Sequence, residues 1–211
     1  MKKYLMEGIG AFFLTLTFAM AAHTDAAKGM APLAIGSILT ALVFAGGHIS
    51  GAHYNPAVSL AVLMRRKLDR LDFPYYWLAQ FVGAILAAFI ASFLLRCSGV
   101  SDIPMRANDA VCALVAEFLG AFILVLVSLS VSTTQSTLGN SYFGLAIGLA
   151  QFAGMFVLGP ISGGYFNPAV VLGLSIAGMT AWSDVWMYGI GALLGAAAAA
   201  SVFRVLYGDQ S

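Results

Sequence analysis

The sequence predicts an all-α membrane protein, with six transmembrane helices and two re-entrant half-helices arranged as an inverted internal repeat. Three observations lead there. Of 211 residues, 61% are hydrophobic and 9% charged, where a soluble domain carries roughly 25% charge; residues 118–183 contain no Asp, Glu, Lys, Arg or His. Six apolar stretches approach the ~20 residues needed to cross the hydrocarbon core, and two more stop at about half that. The two halves of the chain also repeat one another.

The first span, residues 4–22, follows Lys2 and Lys3 and superficially resembles a secretory signal. Glu7 at its start and the return of the same segment later in the chain argue that it is a retained structural element. The second span covers residues 32–47. The first half-span, residues 55–64, follows a glycine-rich stretch that should break the preceding helix. The third and fourth spans, residues 73–95 and 110–130, flank an outer loop with Cys97 and Cys112 at its ends, where a disulfide is possible but not implied. The fifth span is residues 141–158, the second half-span 167–178 and the sixth span 185–206. Gly83, Gly189, Gly191 and Gly195, with the alanines of residues 196–200, supply small surfaces for close helix crossings.

Lys and Arg fix the expected orientation. With a cytoplasmic amino terminus, Lys2, Lys3, Arg65, Arg66, Lys67, Arg70 and Arg204 lie inside, against Lys28, Arg96 and Arg106 outside, so both termini are expected in the cytoplasm. Short termini and loops point to a prokaryotic inner (plasma) membrane. A net charge of +1 without a basic stripe argues against nucleic acid. Two cysteines alone make neither a metal set nor a disulfide framework, and no cofactor motif is present.

Glu7-Gly8-Ile9-Gly10-Ala11-Phe12-Phe13-Leu14 returns 110 positions later as Glu117-Phe118-Leu119-Gly120-Ala121-Phe122-Ile123-Leu124. Ile49-Ser50-Gly51-Ala52-His53-Tyr54-Asn55-Pro56-Ala57-Val58 returns 112 positions later as Ile161-Ser162-Gly163-Gly164-Tyr165-Phe166-Asn167-Pro168-Ala169-Val170. The repeats, about residues 1–96 and 110–211 of one channel domain, each hold three spans and a half-span. An odd number of crossings forces the second to enter from the opposite side, and the half-helices then meet near the midplane.

Asn-Pro-Ala suits the start of a buried half-helix. Asn caps and also offers donors, Pro is preorganised for the first helical position, and Ala permits close approach. Residues 49–54 and 161–166 should be non-helical at membrane depth, which requires burial in protein or a watery cavity; their carbonyls would form an acceptor ladder, with Asn55 and Asn167 as central donors. Two facing helix N-termini place roughly half a positive charge each at the midpoint and repel cations.

These residues resemble the aquaporin (major intrinsic protein) family over essentially the whole chain: His48-Ile49-Ser50-Gly51 leading into Asn55-Pro56-Ala57-Val58, the matching Asn167-Pro168-Ala169, and Glu7 and Glu117 in spans one and four. The resemblance implies an aquaporin-like right-handed bundle in the lipid bilayer, assembled as a homotetramer with a passive pore for water and small neutral solutes in every protomer, and charge exclusion by the half-helix dipoles. It places the selectivity filter at Ile35, Met155, Gly164 and Val170, where Val170 replaces the family's usual Arg. Lacking that charge, and with an adaptable Met155, the filter is expected to be wide, apolar and flexible, favouring glycerol, urea or metalloid hydroxides such as arsenite. An apolar ring could instead dewet.

Glu7 and Glu117 read either as proton-relay groups or as acceptors tying down the broken loops; their paired placement favours the second. The resemblance sets His48 beside the pore as a partner of Glu7, and His53 in the pore-lining stretch. Gln80, Tyr54 and Phe166 read as packing or loop-anchoring groups. An ion- or proton-coupled secondary transporter also uses inverted repeats and broken helices, but needs coupling groups at the midplane where this chain offers Asn. An intramembrane enzyme lacks a nucleophile or metal set.

Overall fold

In a computed structural model, residues 1–23, 29–97, 107 and 109–208 are described. They form eight α-helices: α1 (Lys2–His23), α2 (Ala31–Ser50), α3 (Pro56–Met64), α4 (Phe73–Cys97), α5 (Ala110–Ser132), α6 (Phe143–Ser162), α7 (Pro168–Ile176) and α8 (Val185–Tyr207). Six are long and apolar enough to cross a membrane. The other two, α3 and α7, have nine residues each, about 14 Å at 1.5 Å per residue, so each reaches roughly halfway.

Within each half, α1 packs on α2 and α4, and α5 on α6 and α8. The half-helices cross over: α3 lies against α8 and α7 against α4, while α2 and α6 join the halves. Glycine sets the crossings where backbones touch. A Cβ on Gly83 would sit 2.2 Å from the carbonyl oxygen of Gly8, and one on Gly195 would sit 2.2 Å from that of Phe118. Gly191 meets α5 in the same way, 2.7 Å from the oxygen of Leu114, whereas Gly189 has no such neighbour within 4 Å and contributes nothing to a crossing.

Two helix ends differ from expectation. The glycine pair Gly46-Gly47 and the dipeptide Gly159-Pro160 suggest breaks, but α2 runs on to Ser50 and α6 to Ser162, with Pro160 inside the helix. The chain turns at Gly51 (φ 86°) and Gly163 (φ 93°), whose amides donate to the oxygens of Gly47 and Gly159. Left-handed glycine immediately after the helix is the ordinary stop signal, and the non-helical stretches are correspondingly shorter. Cys97 and Cys112 are exposed free thiols. Lys28 and Arg106 lie outside the described residues.

Candidate pore

Asn55 and Asn167 hold extended backbones (φ −154° and −149°) immediately before Pro56 and Pro168. Oδ1 of Asn55 accepts from the amide of Ala57 at 2.8 Å; Oδ1 of Asn167 accepts from that of Ala169 at 3.0 Å. Each therefore caps its own half-helix, worth about 1 kcal/mol. The Nδ2 atoms do something else: Asn55 donates to the carbonyl of Phe166 at 2.8 Å, and Asn167 to that of Tyr54 at 3.0 Å. The two caps are thus tied across the repeat axis, each to the residue preceding the other. An amide nitrogen carries two hydrogens, of which this bond uses one. Ala57 and Ala169, fully buried, let the ends meet.

Behind the asparagines the loops are held in an unfavourable backbone. Tyr54 (φ 52°) and Phe166 (φ 51°) are left-handed, as is Ala52 (φ 53°), a conformation costing roughly 1–2 kcal/mol per non-glycine residue. Buried carboxylates compensate. Oε1 of Glu7 accepts from Ser50 Oγ (2.7 Å) and the His53 amide (2.9 Å), and Oε2 from the Tyr54 amide (2.6 Å) and Gln80 Nε2 (2.8 Å). Glu117 repeats the arrangement with Ser162 Oγ (2.7 Å) and the amides of Tyr165 (3.0 Å) and Phe166 (2.7 Å). Both carboxyl groups thus accept from main-chain and side-chain donors around the loop that each braces. The aromatic rings fill seats made by glycine: a Cβ on Gly10 would lie 2.0 Å from the Tyr54 ring, and one on Gly120 would lie 1.9 Å from the Phe166 ring.

The expectation that His48 partners Glu7 is corrected. His48 is exposed at the end of α2, and the four positions around Glu7 belong to Ser50, His53, Tyr54 and Gln80. Two residues further along a helix, Ser50 faces a different direction, and its hydroxyl reaches the carboxylate that His48 does not. His53, by contrast, is buried; its Nδ1 lies 3.0 Å from Ser59 Oγ, which also accepts from Gln80 Nε2 at 2.9 Å.

Two cavities lie at opposite ends of the bundle, and of the two only the inner one is lined by the asparagines. The inner one, about 310 Å³, runs from Lys67 and Thr133 to Asn55 and Asn167, with Ser50, His53 and Gln151 facing apolar residues such as Leu39 and Val58. The outer one, about 370 Å³, is mainly apolar, with Phe18, Met155, Phe156 and Met179 beside Tyr165. They share no lining residue. Ile35 and Val170 have 0% exposure and Gly164 is buried, whereas Met155 is half-buried and opens on the outer cavity. The breadth expected from Gly164 is absent in this conformation. A Cβ there would fall 2.9 Å from Cα and Cγ of Met155, so methionine fills the space that the missing side chain leaves. Gln151 Nε2 donates to the Gly164 carbonyl at 3.1 Å and holds that turn.

Sequence reasoning missed Ser50, Ser162, Gly10, Gly120 and Gln151 as parts of this assembly. The first four were detectable because they stand at equivalent places in the repeated motifs; Gln151 carries no such signal.

Comparison with known proteins places this architecture. The family model for the major intrinsic protein matches residues 1–203. The chain is 34% identical over 176 residues to Aquaporin NIP2-2 of Zea mays, covering 83% of this chain and 59% of that protein, so it spans under two thirds of the length of that plant relative. It is 36% identical over 219 aligned positions to glycerol uptake facilitator protein-like 6 of Lactiplantibacillus plantarum, covering 98% of each. In fold it matches the X-ray structure of the aquaglyceroporin from Plasmodium falciparum, with a TM-score of 0.78, 22% identity and coverage of 99% of this chain and 95% of that one.

Proposed function

The chain belongs to the major intrinsic protein family, a family of channels and not of enzymes, and from that premise we propose that it is a passive transmembrane channel for water and small uncharged solutes. The observation that carries this reading is the pair of reciprocally bonded asparagines at the head of a cavity that both of them line. Both half-helix N-termini face that point and disfavour cations, while the polar side of the inner cavity offers hydrogen bonds to replace those a solute leaves in water.

Ile35, Met155, Gly164 and Val170 form the outer constriction in this reading. With no charged side chain among them, its specificity rests on size and on the movement of Met155, whose unbranched thioether adopts several rotamers at small cost. Glycerol, urea and undissociated metalloid hydroxides such as arsenite are the solutes proposed to pass once Met155 swings from Gly164; similarity to a glycerol uptake facilitator supports the first. The protomer works within a homotetramer, with both termini in the cytoplasm.

Stopped-flow uptake into proteoliposomes tests the proposal with water, glycerol, urea and arsenite. Met155→Ala should raise glycerol uptake relative to water several-fold, because a truncated side chain leaves the constriction open. Val170→Arg should depress glycerol more than water. Unchanged ratios in both correctly assembled variants would remove these residues from the filter, and uptake driven uphill by a proton gradient would overturn passive conduction.

A further inference from the structure

The end of α3 opposite the asparagine pair walls a groove that adjoins the inner cavity at Leu68. The chain leaves the half-helix through Arg66, whose backbone is left-handed (φ 61°), and the turn is closed by the amides of Arg66 and Lys67 donating to the oxygens of Leu63 (2.9 Å) and Val62 (3.0 Å). With the last turn of α8, it encloses about 550 Å³ lined by Arg66, Arg70, Arg204 and Asp69 over Leu63 and Leu68. All three arginines are exposed.

Charge in this groove is unbalanced. Asp69 is its one carboxylate, and Oδ1 of that residue already accepts from the amide of Leu71 at 2.8 Å. The ion pair found among the described residues, Lys3 with Asp72, involves none of the three arginines. Arg204 donates through Nη2 to the carbonyl of Met64, which neutralises the negative end of α3 and leaves its other N–H groups unengaged by that bond. A general excess of cations at one membrane face does not require convergence; here arginines from the α3–α4 turn and from the far end of the chain meet on one concavity. Guanidinium forks match the spacing of phosphate oxygens. Next along the chain from Arg70 and Arg204, Leu71 (78%), Val205 (85%) and Leu206 (63%) are exposed and apolar, the last two in the final turn of α8.

We infer that this groove binds a phosphate group, that of an anionic phospholipid whose acyl chains lie along the Leu71, Val205 and Leu206 rim. Three arginines against one aspartate leave the site two charges positive, a match for a headgroup phosphate and a poor one for a zwitterion carrying its own ammonium.

The test is lipid binding to the purified full-length chain in neutral detergent, read by native mass spectrometry with short-chain phosphatidylglycerol, short-chain phosphatidylcholine and inorganic phosphate as probes. Phosphatidylglycerol should bind native protein roughly tenfold more tightly than phosphatidylcholine, the effect of about one charge-assisted pair. Arg66→Asn combined with Arg70→Gln should erase that preference; Asn is chosen because it tolerates the left-handed backbone. Removal of the same number of charges elsewhere, in Lys2→Gln with Arg96→Gln, should not. Inorganic phosphate competing at concentrations similar to the lipid would uphold the phosphate site and assign it to a soluble anion. Equal binding of the two lipids by native protein, a preference surviving in the arginine variant, or equal loss in the control would overturn the inference. Unchanged unfolding temperature and solute uptake in the arginine variant verify that its fold is intact.

Discussion

Replacing Glu7 by Gln distinguishes a bracing carboxylate from a proton-relay group. Four donors converge on Glu7, two per oxygen, and glutamine presents one oxygen and one NH2. If the NH2 takes the Oε2 position, Gln80 can turn its otherwise unpartnered Oε1 toward it, but the Tyr54 amide then faces another donor. If it takes the Oε1 position, the Ser50 hydroxyl can rotate, but the His53 amide is stranded. Either way one buried main-chain N–H loses its partner, at about 1–3 kcal/mol, and the remaining bonds lose their ionic reinforcement. A total near 3 kcal/mol is expected, or roughly 6–12 °C in unfolding temperature for a chain of this size. Glu117→Gln should cost less, since three donors meet that carboxylate. Thermal unfolding in detergent, paired with stopped-flow water uptake, gives both numbers. A carboxyl carrying a proton already presents one donor and one acceptor, so glutamine would replace it almost silently. A shift under about 2 °C with native uptake would therefore refute the brace and revive the relay.

Two further perturbations follow from the same geometry. Gly10→Ala and Gly120→Ala each drive a methyl to about 2 Å from a buried ring and should lower the unfolding temperature or abolish monodisperse protein, overpacking of this kind costing roughly 1–3 kcal/mol or more; Gly189→Ala, with open space around it, should be neutral or stabilising, and size-exclusion chromatography compares the three. At the membrane surface, the hydrogen bonds from Lys3 and then Tyr4 hold the Asp72 carboxyl below its ordinary value of 3.8. A lowered folded value adds stability above the unfolded pKa that is lost as pH falls through the folded one, so native protein and Asp72→Asn should differ at neutral pH and converge below about pH 4 in unfolding midpoints measured across pH.

What could be read from the chain depended on whether the physics was local. Asn55-Pro56 and Asn167-Pro168 announce helix starts because capping and the fixed φ of proline act within three residues, and both observed caps follow those rules. The ends of α2 and α6 were misplaced because Gly46-Gly47 and Gly159-Pro160 have the composition of breaks. Gly46 is instead small to admit the Tyr54 hydroxyl, which a Cβ would meet at 1.8 Å, a long-range reason invisible to a local rule. The resemblance offered His48 to Glu7, and the rotation of α2, which brings Ser50 to the carboxylate instead, is not written in the local sequence. The proposed filter shows the same limit: the resemblance names four residues, but not that Met155 lies over Gly164.

The reciprocal bonds explain why such a chain needs both halves. Asn55 completes its hydrogen bonding on Phe166, and Asn167 on Tyr54; each acceptor belongs to a loop whose strained backbone is held by the glutamate of that acceptor's own half. Each half-helix, moreover, packs against the last span of the opposite repeat. One repeat alone would leave an asparagine amide and a left-handed carbonyl unpaired at membrane depth, where no lipid group can satisfy them. In the proposed channel the pairing that closes the fold is therefore also the pairing at the centre of the pore, and a substitution weakening one asparagine should disturb conduction and assembly together.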